Sequence, residues 1–299
     1  ALFRYMPHPV TVGFTCAIAT TILASQLKDL GGLTLSGGEP GHFFPKLIVL
    51  GQALPTLNVA AVATGLGSAA LIFALRAWRP NWPGMLIAVV LSSLAALVLK
   101  LPVETIGSRF GAMPAHLLPP QLPPISLELV WHALPAAITF TLLGSVESLL
   151  SAKVADGMTN RKHRSNMELL AQGLANIASA RVGGIRGSGT MARTATNIRA
   201  GAKSPLSGMM HAAFVLAFML VAAPLASYIP LASLAGVLVV VAWSMAEKKE
   251  FVRLLPDWRA AAVLLATFGL TLVKDLTAGI VAGCLLAAAF ALFDRFRKN

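Results

Sequence analysis

Eight long apolar stretches, at 10–27, 59–75, 85–99, 129–150, 206–228, 231–246, 260–273 and 278–293, set the rhythm of this chain. Several approach the roughly 20 apolar residues that a helix needs to cross a bilayer. Others are shorter, or interrupted by Gly and Pro, and suit a bundle whose polar interior is shielded by protein. A soluble helical core can hide one or two such runs but not eight, so the pattern predicts an all-α polytopic membrane protein. Short helices are expected over 43–57, ending at the Pro55 break, and over 167–180, with another starting near Gly189. Residues 102–124, which contain the run PPQLPP, suggest extended external structure rather than a helix.

Composition agrees with the membrane reading: 56% of the 299 residues are hydrophobic and 12% charged, where a soluble domain carries about 25% charged. Mean hydropathy is +0.74. The net charge of +12 invites a nucleic-acid reading, because basic chains neutralise phosphates. Its distribution argues instead for membrane topology and for no nucleic-acid partner. Basic residues gather at alternate ends of the spans: Arg76 and Arg79; Lys153, Arg161, Lys162 and Arg164; Lys248, Lys249, Arg253 and Arg259; Arg295, Arg297 and Lys298. The opposite loops are poorer, with Lys28, Lys46, Lys100, Arg109 and Lys274. By the positive-inside rule the 153–165 and 247–259 connections and the C-terminal tail are cytoplasmic. Cys16 and Cys284 lie far apart inside apolar runs and read as small buried hydrophobes, not as metal ligands or a staple. The sequence starts at Ala1 with no signal-peptide pattern, and is read as a fragment or processed product.

Residues 183–208, GGIRGSGTMARTATNIRAGAKSPLSG, break the apolar pattern most sharply. Irregular Gly-rich backbone at membrane depth is tolerated where it lines a cavity. Small residues let backbone approach a ligand, and Ser188 or Thr190 can cap the helix that follows. The first turn of that helix exposes unpaired amides and the positive end of its dipole, an anion-binding arrangement. Ser188, Gly189 and Thr190 are therefore candidate amide or hydroxyl contacts, and Arg193, about one turn in, a fixed positive charge facing the same cavity. Glu147 is the acid that lies well inside a spanning run. A buried carboxylate suits a proton-linked step or a cation site, or it pairs with Arg193 or another base. Ser148 and Ser151 are plausible oxygen ligands if a hard cation such as Na+ binds beside Glu147. Asp156 reads as a cap or a bond to the cytoplasmic loop. No HExxH, Walker loop, paired catalytic acids or hydrolase elbow occurs, so no enzyme, metal centre or cofactor is indicated, and H+ or Na+ enters only as a coupling ion.

These two constellations carry a resemblance to the sulfate permease (SulP) superfamily of anion transporters. YMPHPVTVGF at 5–14 resembles the opening of that family's fifth transmembrane helix, and LLGSVESLLSAKVADGMT at 142–159 its eighth. The 183–208 run is similar to the family's tenth, and IPLASLAGVLVVVAW at 229–243 to its twelfth. The resemblance implies part of a UraA-like fold of two inverted seven-helix repeats, with a short strand before a half-helix. The implied parts are gate-domain helices five to seven at 1–101, a Pro-rich external connection at 102–128, core-domain helices eight to eleven at 129–228, and gate-domain helices twelve to fourteen at 229–299. The first four helices and a C-terminal STAS domain would lie in the parent protein, outside this chain.

The family pattern implies Ser188, Gly189, Thr190 and Arg193 as the substrate contacts, and Glu147 with Ser148 and Ser151 as the coupling or cation group. It also implies a homodimer in a bacterial inner membrane. The expected function is proton- or sodium-coupled secondary active transport of a small inorganic or carboxylate anion, such as sulfate, bicarbonate or a dicarboxylate. The alternatives are an uncoupled anion channel or exchanger and a non-transporting membrane scaffold. Glu at 147, where sodium-linked relatives carry Asp, tilts the expectation towards protons.

Overall fold

In the computed structural model, which describes residues 7–35, 37–80, 82–111, 119, 125–274 and 276–298, regular structure is almost wholly α-helical. In chain order the helices are α1 (His8–Gly31), α2 (Phe43–Gln52), α3 (Val59–Trp78), α4 (Gly84–Val98), α5 (Ile106–Phe110), α6 (Leu127–Thr159), α7 (Ser165–Arg181), α8 (Met191–Arg199), α9 (Leu206–Ala226), α10 (Leu231–Met245), α11 (Lys248–Leu254), α12 (Trp258–Val273) and α13 (Leu276–Lys298). A 3₁₀ turn at Leu54–Thr56 follows α2, where Pro55 had suggested a break. Four helices, α1, α3, α6 and α9, together with the stretch Leu231–Leu254, have the length and composition to cross a bilayer. The shorter apolar helices are Phe43–Gln52, Gly84–Val98, Trp258–Val273 and Ala278–Phe293.

Local chemistry explains many of the helix ends. The Asn58 side chain accepts the Ala60 and Ala61 amides and so starts α3. Asp257 does the same for Arg259 at α12, and Ser126 for Leu129 at α6. Gly32, at φ 57°, turns α1 off in the left-handed region that L side chains avoid. The Pro-rich connection departs from expectation at one point. Thr105 and Ser108 form a reciprocal capping box there and nucleate the single-turn helix α5. Charged residues after α10, expected as plain connection, coil instead into α11.

The chain divides into two compact units, Ala1–Met113 with Pro224–Asn299, and Pro114–Ala223. In the first, α1 packs against α10 and α12, α3 against α10 and α4, and α12 against α13. Small residues permit these approaches. A Cβ on Gly236 would run into the Gly65 carbonyl, and a Cβ on Gly65 would come within 2.8 Å of the Ala232 carbonyl. Gly67, two residues on, faces open space. Beside the α3–α10 crossing, buried Ser233 bonds Ser68 at 3.0 Å and Ser92 at 2.6 Å, tying α10 to α3 and α4. Such hydroxyl pairs hold helices together where lipid removes the hydrophobic drive for association. Arg109 of α5 grips Asp29 at 2.5 Å, and that hydrogen bond raises the guanidinium above its ordinary pKa.

In the second unit, α6 packs against α7 and α8. Its 33 residues span about 50 Å at 1.5 Å per residue. Asp156, near its C-terminal end, binds the 160–164 loop as expected: its carboxylate takes the His163 amide at 2.9 Å and the His163 ring at 2.7 Å. The expected short strand before the half-helix is not formed. Among the described residues there is no β-strand, and the isolated backbone bridge joins Thr105 to Pro230 elsewhere in the chain. Residues 184–190 are irregular, non-helical backbone, and the Ile185, Gly187 and Gly189 groups that bond do so with side chains instead of a neighbouring strand.

The helix crossing at Gly236 gives a direct stability test. Gly236→Ala is expected to destabilise the protein by about 1–3 kcal/mol through overpacking, whereas Gly67→Ala leaves it unchanged. Thermal unfolding of the detergent-solubilised variants measures both, and equal midpoints would contradict the packing described here.

Candidate functional site

Glu147, Ser148 and Ser151 occupy one edge of α6, because positions separated by three or four residues stack on the same helix face. Each meets the Gly-rich segment. The Ser188 hydroxyl donates to the Glu147 carboxylate. One residue on, the Gly189 amide donates to the Ser148 hydroxyl at 2.8 Å, and Ser151 shares a 2.6 Å hydroxyl bond with Thr194 of α8. The segment therefore runs along α6 in the same direction as the helix, contact by contact.

Glycine at 189 lets the segment lie close against α6. A Cβ there would sit 3.0 Å from Ser148 Cα and 3.3 Å from Ser151 Cβ, tighter than most Cβ contacts, so the neighbouring atoms would have to shift slightly to admit one. Ser148 and Ser151 are buried beneath the segment, at 2% and 4% exposure, so their hydroxyls must find partners within the protein.

The other side of the segment is held by α7. Gln172 and Asn176 each donate to the Gly187 carbonyl at 3.1 Å, and Asn176 also accepts the Gly187 amide at 2.7 Å. Ser179 donates to the Ile185 carbonyl at 3.1 Å. These three side chains recur at i, i+4 and i+7, one face of a helix. Sequence reasoning noted α7 as less hydrophobic but did not assign them. A polar stripe at helical spacing between two apolar spans was the available signal. Thr194 and Phe140 were also missed as partners; the Arg186 guanidinium lies 3.1 Å over the Phe140 ring.

Thr190 takes the N-cap position of α8 in extended conformation, at φ −117° and ψ 116°, and its hydroxyl makes no capping bond. Ser188, the other expected cap, spends its hydroxyl on Glu147. The amides of the first α8 turn thus have neither an intrahelical acceptor nor a side-chain cap, at the positive end of the helix dipole. Arg193 is exposed one turn into α8. Among the described residues it forms no ion pair, so the alternative pairing of Glu147 with Arg193 is not made. The structure brings Glu147, Ser148 and Ser151 together with Ser188 and Gly189, and sets Thr190 and Arg193 at the mouth of α8.

Other polar candidates fall elsewhere. No group of three His, Cys, Asp or Glu residues that could hold a metal ion occurs among the described residues. Cys16 and Cys284 are free thiols. Asp275 and the side chains of Arg199 and the C-terminal basic residues lie outside the described residues.

Comparison with known proteins bears on what such a site serves. Residues 1–267 match the model of the sulfate permease family. YvdB of Bacillus subtilis (strain 168) is 42% identical over 291 residues, covering 97% of this chain and 55% of YvdB. The bicarbonate transporter BicA of Synechocystis is 32% identical over 295 residues, covering 94% of this chain and 50% of BicA. The solved transmembrane domain of a cyanobacterial BicA superposes with a TM-score of 0.81 at 28% identity, covering 93% of this chain and 70% of that domain. The chain thus spans about half the length of the curated relatives it matches. From the extent of the family match and the identity to its relatives, this chain belongs to the sulfate permease family.

Proposed function

We propose that the parent protein is a secondary active transporter of a small anion, and that this chain carries both its α8 anion contacts and its coupling acid. The observation that carries the reading is the hydrogen bond between Ser188 and Glu147. An ionised carboxylate one bond away from an anion-binding segment opposes the anion electrostatically, the more so where little water screens it. Neutralising Glu147 removes that opposition, so ion uptake at the acid and anion binding at Ser188, Gly189, Thr190 and Arg193 favour each other. Such reciprocity is what symport requires.

The proton is the better coupling ion for this geometry. Ser148 already accepts the Gly189 amide and Ser151 is engaged with Thr194, so both oxygens that would help hold Na+ have protein partners. Sulfate, bicarbonate and dicarboxylates are the substrates to test, the second because BicA is a bicarbonate transporter. The separate compactness of 114–223 supports reading α6 to α9 as a core domain and the remaining helices as a gate domain. The bacterial sources of YvdB and BicA support a bacterial plasma membrane, and the family reading extends to a homodimer.

Uptake of labelled anions by the full-length protein in proteoliposomes, under imposed pH and Na+ gradients, tests this reading. Glu147→Gln is expected to lower pH-driven accumulation about tenfold or more while leaving anion binding intact or tighter, because a repelling charge is removed. Wild-type accumulation by this variant under the pH gradient would leave the acid structural, and stimulation by Na+ alone would reassign the coupling ion. Arg193→Ala should raise the KM for the transported anion about tenfold, the scale of one lost charge-assisted contact. An unchanged KM in the Arg193→Ala, Thr190→Val double variant would remove the α8 mouth from the site.

A further inference from the structure

Partners alternate along the Gly-rich segment. Residues 185 and 187 are held by α7, through Ser179 and through Gln172 with Asn176, whereas Arg186 and Ser188 turn to α6, onto Phe140 and Glu147. Extended backbone sends side chains at i and i+2 to the same side, so Arg186 and Ser188 share the side on which the anion contacts are proposed. Phe140 precedes Glu147 by seven residues on α6, about 10 Å along the axis. α6 ends at the basic cytoplasmic loop, so Phe140 and Arg186 lie to the non-cytoplasmic side of Ser188. Arg193 lies beyond Thr190 in the other direction, near the level where Ser151 meets Thr194. Two guanidinium-bearing residues therefore bracket the Ser188–Thr190 segment along the membrane normal.

Arg186 differs from an ordinary paired arginine. No carboxylate reaches it among the described residues, and its charge rests 3.1 Å over the aromatic face. Stacking uses the flat face of the guanidinium and leaves its in-plane N–H donors available. Those donors form a fork that matches two oxygens of one oxyanion and offers no such match to a spherical halide.

Resting on the transporter reading above, we propose that Arg186, propped on Phe140, forms a second anion subsite on the non-cytoplasmic side that captures oxyanions before they reach α8. Phe140 is the positioning residue: it holds the guanidinium flat so that its donor edge faces the path.

The test uses the full-length protein in right-side-out and inside-out membrane vesicles, with labelled sulfate as probe and chloride as the spherical competitor. Arg186→Gln is expected to raise the sulfate KM about tenfold from the non-cytoplasmic side, with a smaller change from the cytoplasmic side and with maximal rate retained. Arg186→Lys should recover part of the loss, since it keeps charge but not the fork, and Phe140→Leu should raise the KM several-fold with Arg186 present. Both Arg186 variants should be inhibited by chloride more strongly relative to sulfate than the wild type. An unchanged sulfate KM in Arg186→Gln, an equal rise from both sides, or full recovery by lysine would each overturn the proposal. Absence of sulfate binding and transport by the wild-type protein would overturn the transporter reading for this probe and the subsite with it.

Discussion

Non-helical backbone at membrane depth must have every polar group satisfied by protein, and the arrangement of 184–190 follows from that constraint. Hydrocarbon supplies no hydrogen bonds, so an amide left bare there costs several kcal/mol on the order of its full desolvation. In this chain four backbone groups of the segment are met from two sides. Amide and hydroxyl side chains of α7 take the Gly187 and Ile185 groups, and the buried Ser148 hydroxyl of α6 takes the Gly189 amide. After this held segment Thr190 takes the N-cap position of α8, and its side chain caps none of the first amides of the helix.

The same constraint places the acid. With Ser148 and Ser151 spent on Gly189 and Thr194, the remaining α6 group at this level is Glu147, and Ser188 is the side chain that meets it. The alternative ion pair of Glu147 with Arg193 is not formed among the described residues. Rigidity elsewhere complements this. In the other unit the close α3–α10 crossing at Gly65 and Gly236 and the Ser68–Ser233–Ser92 hydroxyls make a firmly packed set of helices.

Much of this was legible from residues alone. The apolar runs located α1, α3, α4, α9, α10 and α12 to within a few positions, and the Gly-rich run marked where α8 would start. Two signals were misread for identifiable reasons. Proline at 102 and beyond argued against any helix, yet a Thr105–Ser108 capping box is enough for a single turn. The other expectation, a strand before α8, came from the family resemblance, but a strand is defined by a neighbour, and none pairs with this segment among the described residues. The polar stripe of Gln172, Asn176 and Ser179 was visible in the spacing and went unassigned because its partners are backbone groups, which carry no residue signature.

What the sequence determined by itself is the membrane class and the placement of most spans along the chain. These follow from local properties: a helix satisfies its own backbone, so length and hydropathy suffice to mark it as a span. Only the tertiary structure decided that Glu147 binds Ser188 and not Arg193, that Gly189 packs closely on Ser148, and that Arg186 lies on Phe140. The Glu147–Ser188 partners are 41 residues apart, and their meeting depends on the register between α6 and the 184–190 segment. Register is set by the fit of buried side chains across an interface, and a one-residue slip would exchange every partner, so no local rule along the chain could have chosen it.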